Sequence, residues 1–525
     1  MAEEIYDVAI VGGGVSGVYS AWRLLTDGGK KRVVVLESSD HIGGRLLSVT
    51  PPQIPYMKAE LGGMRILPAV QPRITKLIET LNRDATPNDY IETYPFPVDQ
   101  PDNISYLRGT HLRLSDFATN PSKVPYRLTF QEFGQTASQL VVNAIEQIVP
   151  GITAAGLTDE QRRAMAQAAS FNGQPLYKQG FWQVLLCVMS DEAYQFAVVA
   201  GGYETTLSNW NAADAIPWYL SDFGVTPEYK GFKKGFQQVP LTVAERLKKA
   251  GGEIRFNAKV SGFDQTADGA EIRLQDGSTV KAKALILAMP RRALDLITPN
   301  CPLLQQPQVA TLIGSVTPRP LFKLFTTYAY PWWLSAGVQK GRTTTDLPVR
   351  QTYYWPDDDG QPATSGRAML MASYDDGLNI GFWDGFRPKR RRGNQPGQFS
   401  EPEWFVGASE QSANTDPEWL RNRAPAAMVA EVQRQLGVVH GLQFLPPVVD
   451  ASFKDWGDDP FGGGWNSWNI GVKSSEVKEQ ILNPAPGVPV YICGEAYSDA
   501  QGWVEGALQT ADLMLGKYFG VKPLA

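Results

Sequence analysis

Residues 6–17 read YDVAIVGGGVSG, and this stretch decides the fold. Residues 6–11 carry no charge after Asp7, which is typical of a strand buried on both faces of a parallel sheet. Residues 15–25 then have the apolar spacing of a helix, and residues 32–36 form a second apolar run. Strand, glycine-rich turn, helix and strand follow one another within about 30 residues, which predicts one βαβ unit.

The glycines of this turn, Gly12, Gly14 and Gly17, are spaced as GxGxxG. The first allows a sharp turn, the second lets the backbone approach a pyrophosphate, and the third lets the helix pack closely on the strand. Glu37 follows the second strand, where a carboxylate can accept hydrogen bonds from both ribose hydroxyls. These residues predict a Rossmann-like dinucleotide-binding unit with the phosphates at a helix N-terminus.

The composition excludes several classes of protein. With 525 residues we expect about three or four domains. Hydrophobic residues at 43% and charged residues at 20% are near globular averages, which excludes collagen-like, disordered and coiled-coil chains. Lysine and arginine number 49 against 54 aspartates and glutamates, so a nucleic-acid partner is not expected.

The sequence also predicts a soluble, cytoplasmic protein without a membrane or metal partner. Its start lacks a secretory signal, and no segment approaches the roughly 18 apolar residues of a transmembrane helix. Cys187, Cys301 and Cys493 lack the spacing of disulfides or a zinc site, and the chain has only 3 histidines. We expect reduced thiols and no metal centre.

The sequence patterns in the rest of the chain predict an α/β protein, α+β overall. Residues 130–200 have helical spacing, and residues 321–375 alternate like a second, mixed sheet. Strands like those of the first unit recur at residues 253–256, 270–274, 279–287 and 488–493, before a closing helix at residues 503–519. The Rossmann-like domain is therefore expected to be discontinuous, beside a mixed-sheet substrate domain and a helical domain.

The predicted domains comprise residues 1–66, 233–318 and 448–525 for the cofactor, 67–128 and 319–447 for the substrate, and 129–232 for the helical domain. A basic run at residues 387–392 is interpreted as a solvated loop, with recruitment of an acidic substrate or a partner subunit as the alternative.

Two further motifs identify the nucleotide. Glu37 is followed by Gly43-Gly44-Arg45, and Gly494-Glu495 precedes QGWVEGA at residues 501–507. In this order they resemble the opening and closing signatures of flavin-dependent amine oxidases, which include monoamine oxidases and L-amino acid oxidases. The resemblance covers nearly the whole chain and implies FAD as the cofactor. With the glycine turn and Glu37, it implies these FAD-binding residues: Gly44, Arg45, Met64, Arg65, Val260, Glu495, Trp503, Val504 and Ala507.

Arg65 follows Gly62-Gly63-Met64 and resembles the arginine with which L-amino acid oxidases and amino acid monooxygenases bind the substrate carboxylate. A planar guanidinium matches a carboxylate in a bidentate fork. The alternative is a structural arginine that caps a loop or binds the flavin phosphate.

Lys323 is a lone charge in an apolar strand, and burying an unpaired ammonium is costly. The resemblance implies that it holds a water against the reactive flavin nitrogen; the alternative is a solvent-facing lysine on an edge strand. Tyr353 and Tyr354 point to opposite faces of a strand, so only one can enter the cavity beside Arg65. We favour Tyr354.

The resemblance also implies two aromatic rings about the substrate nitrogen, for which Trp465 and Trp503 are the candidates. A packing role is the alternative for Trp465, one of 14 tryptophans. Monoamine oxidases carry a flavin-linked cysteine just before the second aromatic, whereas this chain has Gly464, so the FAD is expected to be non-covalent.

By this resemblance the protein is an L-amino acid oxidase that uses dioxygen to give 2-oxo acids, ammonia and hydrogen peroxide. The Gly502 carbonyl would accept a hydrogen bond from the amine, and a homo-oligomer such as a dimer is expected. No histidine lies between about residues 130 and 230, so the amine is expected to lose its proton without a dedicated base. Asp214 and Asp222 are interpreted as surface loop carboxylates, with contact to a substrate side chain or to the ammonium as the alternative. The alternatives are an L-amino acid 2-monooxygenase, an amine or polyamine oxidase, and a flavoprotein fold used only for binding.

Overall fold

The first sheet contains strands from distant parts of the chain. The computed structural model describes residues 5–224, 228–357, 359–387, 403–408 and 415–524. In spatial order these strands are Glu253–Arg255, Val33–Leu36, Ile5–Val11, Thr279–Leu287, Gly269–Leu274 and Val260–Thr266, with Val490–Ile492 also paired to Thr279–Leu287. The strands at its centre pair in parallel, and the hairpin that follows is antiparallel. The sheet is therefore discontinuous in sequence, as predicted.

The glycine turn links the first strand to the helix Val15–Thr26. Gly12 has a φ of 109°, which L side chains rarely adopt. A Cβ on Gly17 would lie 1.9 Å from the carbonyl oxygen of Gly12, so the helix packs onto the turn more closely than any side chain would permit. The predicted strand, turn, helix and strand are all confirmed at this end of the chain.

Gly17→Ala is expected to lower the free energy of unfolding by about 1–3 kcal/mol, because the added methyl group overlaps backbone that cannot move without disturbing the turn. Urea denaturation measures this difference. Gly381→Ala is the matched control, since a Cβ there meets nothing within 4 Å. Equal stability of both variants would contradict the packing role of Gly17.

The second sheet is mixed and lies beside the first. Its strands are, in spatial order, Asp450–Asp455, Phe322–Tyr328, Ala368–Asp375, Gln351–Tyr354, Gly341–Thr345, Ile104–Leu107 and Thr110–Arg113. Gly341–Thr345 and Ile104–Leu107 run parallel, while the other pairs are antiparallel. Asp450–Asp455 was assigned with residues 448–525 to the cofactor domain, which is wrong, because this strand pairs with Phe322–Tyr328.

A group of helices packs around its own apolar core next to both sheets. Its members are Ala137–Ile148, Asp159–Ala168, Phe181–Leu186, Asp191–Gly201 and Ala212–Phe223. Thr136 and Thr158 cap two of these helices, each in a reciprocal bond with a glutamine three residues later. The predicted mixed α/β class with a helical region is confirmed.

The remaining helices surround the sheets. They are Pro72–Asn82, Asp116–Thr119, Gln238–Lys249, Arg291–Ile297, Pro302–Gln305, Pro307–Ile313, Ile380–Asp384, Pro417–Arg421, Ala426–His440, Ser474–Ile481 and Val504–Phe519. Short strand pairs complete the fold: Ser48–Val49 with Ala59–Glu60, Thr93–Pro95 with Lys230–Phe232, Ser170–Phe171 with Gln174–Pro175, and Val316–Arg319 with Trp465–Trp468. Within the described ranges, no helix combines the length and apolar character needed to cross a bilayer.

Most of the predicted basic run, residues 388–392, lies outside the described residues. Arg387 is described and is not a solvated side chain. Its guanidinium is 2.5 Å from a carboxylate oxygen of Asp455 and 2.7 Å from one of Asp458. Arg387 therefore fastens the strand Asp450–Asp455 to the segment that follows Ala368–Asp375.

Candidate functional site

A cavity of about 860 Å³ runs from the glycine turn of the first sheet to the second sheet and the helical group. Its volume is within the range of ligand-binding pockets. The predicted residues that line it are Gly12, Gly14, Glu37, Gly44, Arg45, Met64, Arg65, Val260, Lys323, Trp465, Glu495, Gly502, Trp503, Val504 and Ala507. Residues up to about 490 positions apart in sequence are thus brought to one space.

The end of the cavity at the glycine turn has the geometry of a nucleotide cradle. Gly14 begins the helix Val15–Thr26, and a Cβ there would meet only the Cα of Gly44, 4.0 Å away. Glu37 is held by the backbone N–H groups of Gly13 and Ser39, at 2.6 and 2.7 Å from its two carboxylate oxygens. Bare backbone at a helix N-terminus beside a fixed carboxylate fits a pyrophosphate with an adjoining ribose.

Arg45 and Glu495 contact each other in the middle of the cavity. Their closest nitrogen and oxygen atoms are 2.8 Å apart, and Arg45 also donates to the carbonyl of Gly464. Glu495 accepts hydrogen bonds from the N–H groups of Gly502, at 2.7 Å, and Asn466, at 2.9 Å. Glu495 therefore fixes the backbone next to both candidate tryptophans.

Both tryptophans form part of the cavity wall. Trp465, on the strand Trp465–Trp468, stacks on Trp218 with 5.7 Å between ring centroids and an interplanar angle of 14°. Trp503 precedes the helix Val504–Phe519 and lies parallel to Tyr229 at 6.4 Å and 10°. Tyr229 and Trp218 were not predicted, because nothing in the sequence pattern distinguishes them from packing residues.

Arg65 is buried in a cage of aromatic residues at the far end of the cavity. Its guanidinium lies 3.9 Å from the ring centroid of Tyr229, and its NH groups donate to the hydroxyls of Tyr203 at 3.1 Å and Tyr353 at 3.4 Å. None of its described bonds goes to a backbone carbonyl, so it does not cap a loop. No ion pair joins it to a carboxylate among the described residues, which leaves its charge facing the cavity.

Tyr354 is not beside Arg65, and the choice of Tyr354 over Tyr353 was wrong. The hydroxyl of Tyr354 is 2.6 Å from Oγ1 of Thr343 and 2.7 Å from Nε2 of His440, in the core beside the second sheet. Alternation along the strand puts Tyr353 on the face toward Arg65. The sequence identified the correct pair of tyrosines, but not which of the two lies on the face toward Arg65.

Lys323 lies on an inner strand and is 2% exposed, so the alternative of an edge lysine is wrong. Its ammonium donates to the carbonyl of Glu60 at 3.1 Å and to that of Gly62 at 2.5 Å. Burial lowers the pKa of Lys323 and raises that of the Glu60 carboxyl. Two carbonyl acceptors leave a third N–H of the lysine for the cavity.

Asp214 and Asp222 are not loop carboxylates, since both belong to the helix Ala212–Phe223. Asp214 accepts from Ser474 at 2.6 Å and does not line the cavity. Asp222 is buried, lines the cavity, and has its pKa raised by burial. Asp222 is thus a candidate that the sequence interpretation set aside.

Comparisons with known proteins agree with this geometry. The family described as flavin containing amine oxidoreductase matches residues 15–392. Aplysianin-A of Aplysia kurodai is 27% identical over 98% of this chain and 91% of its own, and Achacin of Lissachatina fulica is 24% identical over 98% and 93%.

An L-amino-acid oxidase of Sistrurus catenatus edwardsii is 25% identical over 70% of this chain and 65% of its own. Among solved structures, wild-type putrescine oxidase bound to putrescine has a TM-score of 0.66 and 18% identity, and the alignment covers 99% of this chain and 100% of that one. At this identity, the structural likeness concerns the fold.

Proposed function

Because the chain belongs to the flavin-containing amine oxidoreductase family, we propose that this protein oxidises L-amino acids to 2-oxo acids, with release of ammonia and hydrogen peroxide. The supporting observation is Arg65, a buried cation that faces the cavity and has no ion-pair partner among the described residues. A substrate carboxylate would supply the missing anion in a bidentate contact. A simple amine would leave this buried charge unpaired.

The cofactor is a flavin, FAD, as the motifs predicted. Gly14, Gly44 and Glu37 would hold its nucleotide half, and the residues near Trp503 and Val504 its ring system. When bound, it supplies the acceptor for the α-hydrogen and two electrons of the substrate, and it passes the electrons to dioxygen.

The protein's own contribution is to bind and orient the substrate. Arg65 and Tyr353 would fix the carboxylate, Trp465 and Trp503 would form the walls around the amine, and the Gly502 carbonyl would accept a hydrogen bond from it. The Gly502 carbonyl shares its peptide group with the N–H of Trp503, which donates to the Ala500 carbonyl at 3.2 Å, so that carbonyl is oriented before the substrate arrives. Fixing two substituents of the α-carbon selects one enantiomer.

A panel of the twenty L-amino acids, their D-enantiomers and putrescine tests this proposal. We expect hydrogen peroxide and ammonia from some L-amino acids, none from their D-enantiomers and none from putrescine. Mass spectrometry of the product separates the oxidase from a 2-monooxygenase, which releases an amide instead of a 2-oxo acid. Oxidation of putrescine but of no amino acid would contradict the proposal.

The FAD is expected to be released by acid or heat, because none of Cys187, Cys301 and Cys493 lines the cavity. The resemblance also implies that Gly464 stands where monoamine oxidases carry their flavin-linked cysteine. Precipitation followed by absorbance of the supernatant at flavin wavelengths measures the released fraction. Yellow colour that remains in washed precipitate would contradict this expectation.

A further inference from the structure

Asp222 is a buried carboxylate that shares the cavity with Arg65. It is 6% exposed, and its Oδ1 accepts a hydrogen bond of 2.6 Å from the Tyr229 hydroxyl. No described residue donates to its Oδ2. The ring of Tyr229 lies beneath the Arg65 guanidinium, so one tyrosine fixes the positions of both charges.

The position of Asp222 is unfavourable for the helix itself. It lies in the last turn of Ala212–Phe223, where the helix dipole repels a negative charge. Asp222 and Arg65, both described, are too far apart for a direct ion pair, although the arginine's field favours the ionised carboxylate. A buried carboxylate with an oxygen to which no described residue donates is suited to a cation from outside the protein.

The other groups around Asp222 do not provide that cation. Tyr219, Tyr229 and Tyr374 are neutral at physiological pH, because burial raises the pKa of each hydroxyl. Arg342 acts on Asp222 from a distance but is ion-paired with Asp99 at 2.7 Å. Among the described residues that act on Asp222, Arg65 is the other cation, and it does not pair with Asp222 directly.

An amino acid at neutral pH is a zwitterion, with a carboxylate and an ammonium on the same carbon. Arg65 and Asp222, a buried cation and a buried carboxylate that line the same cavity without direct contact, are complementary to that charge distribution. We propose that Asp222 binds the substrate's α-ammonium and accepts its proton, a role that rests on the proposed function. In this step an N–H bond of the ammonium breaks, an O–H bond forms on the Asp222 carboxyl, and the amine keeps the electron pair.

This proposal differs from the expectation that the amine loses its proton without a protein base. With Asp222 as acceptor, flavin reduction should rise with pH along a limb set by the protein. Its midpoint should be the same for L-leucine and for 3-fluoro-L-alanine, whose amine is less basic. A limb that follows the amine of each substrate would overturn the proposal.

Asp222→Asn keeps the shape of the side chain and removes the anion, and Asp214→Asn is the matched control on the same helix outside the cavity. Below the midpoint of that limb, stopped-flow flavin reduction by L-leucine should fall at least about 100-fold in Asp222→Asn and stay unchanged in Asp214→Asn. The remaining limb in Asp222→Asn should follow the substrate amine. An unchanged rate and pH profile in Asp222→Asn would overturn the proposal.

Tyr229→Phe tests the same step without removal of the carboxylate. The tyrosine hydroxyl stabilises ionised Asp222, so its loss should raise the pKa of Asp222 and move the limb to higher pH. A packing role for Asp222 would not move the limb in this direction.

Measurements of ligand binding and substrate specificity distinguish the proposed role of Asp222 from other roles that it could have. The affinity for 3-phenylpropanoate, a carboxylate without an amine, should be no weaker in Asp222→Asn than in the native holoenzyme. Weaker binding would assign Asp222 to the support of Arg65. Loss of L-lysine and L-arginine oxidation with normal L-leucine oxidation would assign it to the substrate side chain. Either result overturns the proposal.

Two outcomes distinguish failure of the proposed function from failure of the role proposed for Asp222. A native holoenzyme that oxidises no L-amino acid refutes the function and the role of Asp222 together. A native enzyme that oxidises them, with an unaffected Asp222→Asn variant, refutes the role of Asp222 alone.

Discussion

Arg65→Ala is expected to lower kcat/KM for L-amino acids about 30- to 5,000-fold, which corresponds to about 2–5 kcal/mol of lost transition-state stabilisation. The reason is that Arg65 is buried between Tyr229 and the hydroxyls of Tyr203 and Tyr353, so water cannot replace it as a partner for the carboxylate. Most of the loss should appear in KM, since the contact is made before the reaction as well as during it. Initial rates of peroxide formation measure both constants.

Two tyrosine variants are the controls for the geometry around Arg65. Tyr353→Phe should raise KM for the same substrates by a smaller factor, because it removes one hydroxyl that contacts the guanidinium. Tyr354→Phe should leave KM unchanged, because its hydroxyl bonds to Thr343 and His440. The carboxylate assignment would be wrong if Arg65→Ala kept the native KM or if Tyr354→Phe raised it more than Tyr353→Phe.

Lys323→Met is expected to slow the reaction of the reduced enzyme with dioxygen about 100-fold or more and to leave flavin reduction much less affected. Reduction of dioxygen places negative charge on it, and a desolvated ammonium that is already oriented by the carbonyls of Glu60 and Gly62 stabilises that charge. Because burial lowers the pKa of Lys323, the charge is present below that lowered pKa and is lost as pH rises through it. The native rate with dioxygen should therefore fall at high pH, and the variant should lack this dependence.

Separate stopped-flow experiments on the two half-reactions measure this effect. Lys281→Met is the control, since Lys281 is a partly exposed lysine on the strand Thr279–Leu287 that does not line the cavity. It should change neither half-reaction by more than a few-fold. Equal slowing of both half-reactions in Lys323→Met would indicate a structural role for this lysine.

The parts of the fold that the sequence predicted are those with local causes. The glycine turn was identified because Gly12, Gly14 and Gly17 each meet a steric requirement of the turn itself. The burial of Lys323 was predicted from a lone charge in an apolar strand. Its partners were not, because backbone carbonyls at residues 60 and 62 have no sequence signature.

It was harder to predict which of two tyrosines on a strand faces the cavity, and whether a carboxylate near the end of a helix is buried. Tyr353 and Tyr354 are equally aromatic and equally buried, so only the packing of neighbouring elements decides which one meets Arg65. Asp222 was interpreted as exposed because charged residues usually are. Its burial depends on Arg65 from a distant segment and on Tyr229, which lies seven positions beyond it in the chain.

The strand Val490–Ile492 has a consequence for the synthesis of the protein. It pairs with the far end of Thr279–Leu287, and Glu495, Gly502 and Trp503 follow it in the chain. While the polypeptide is still growing, that side of Thr279–Leu287 remains without its neighbour, with backbone groups open to other chains. The cofactor pocket can therefore close only after the chain through Ala507 has left the ribosome. A single break in the polypeptide between the second sheet and this strand would leave the glycine turn and the residues that complete the pocket on different fragments.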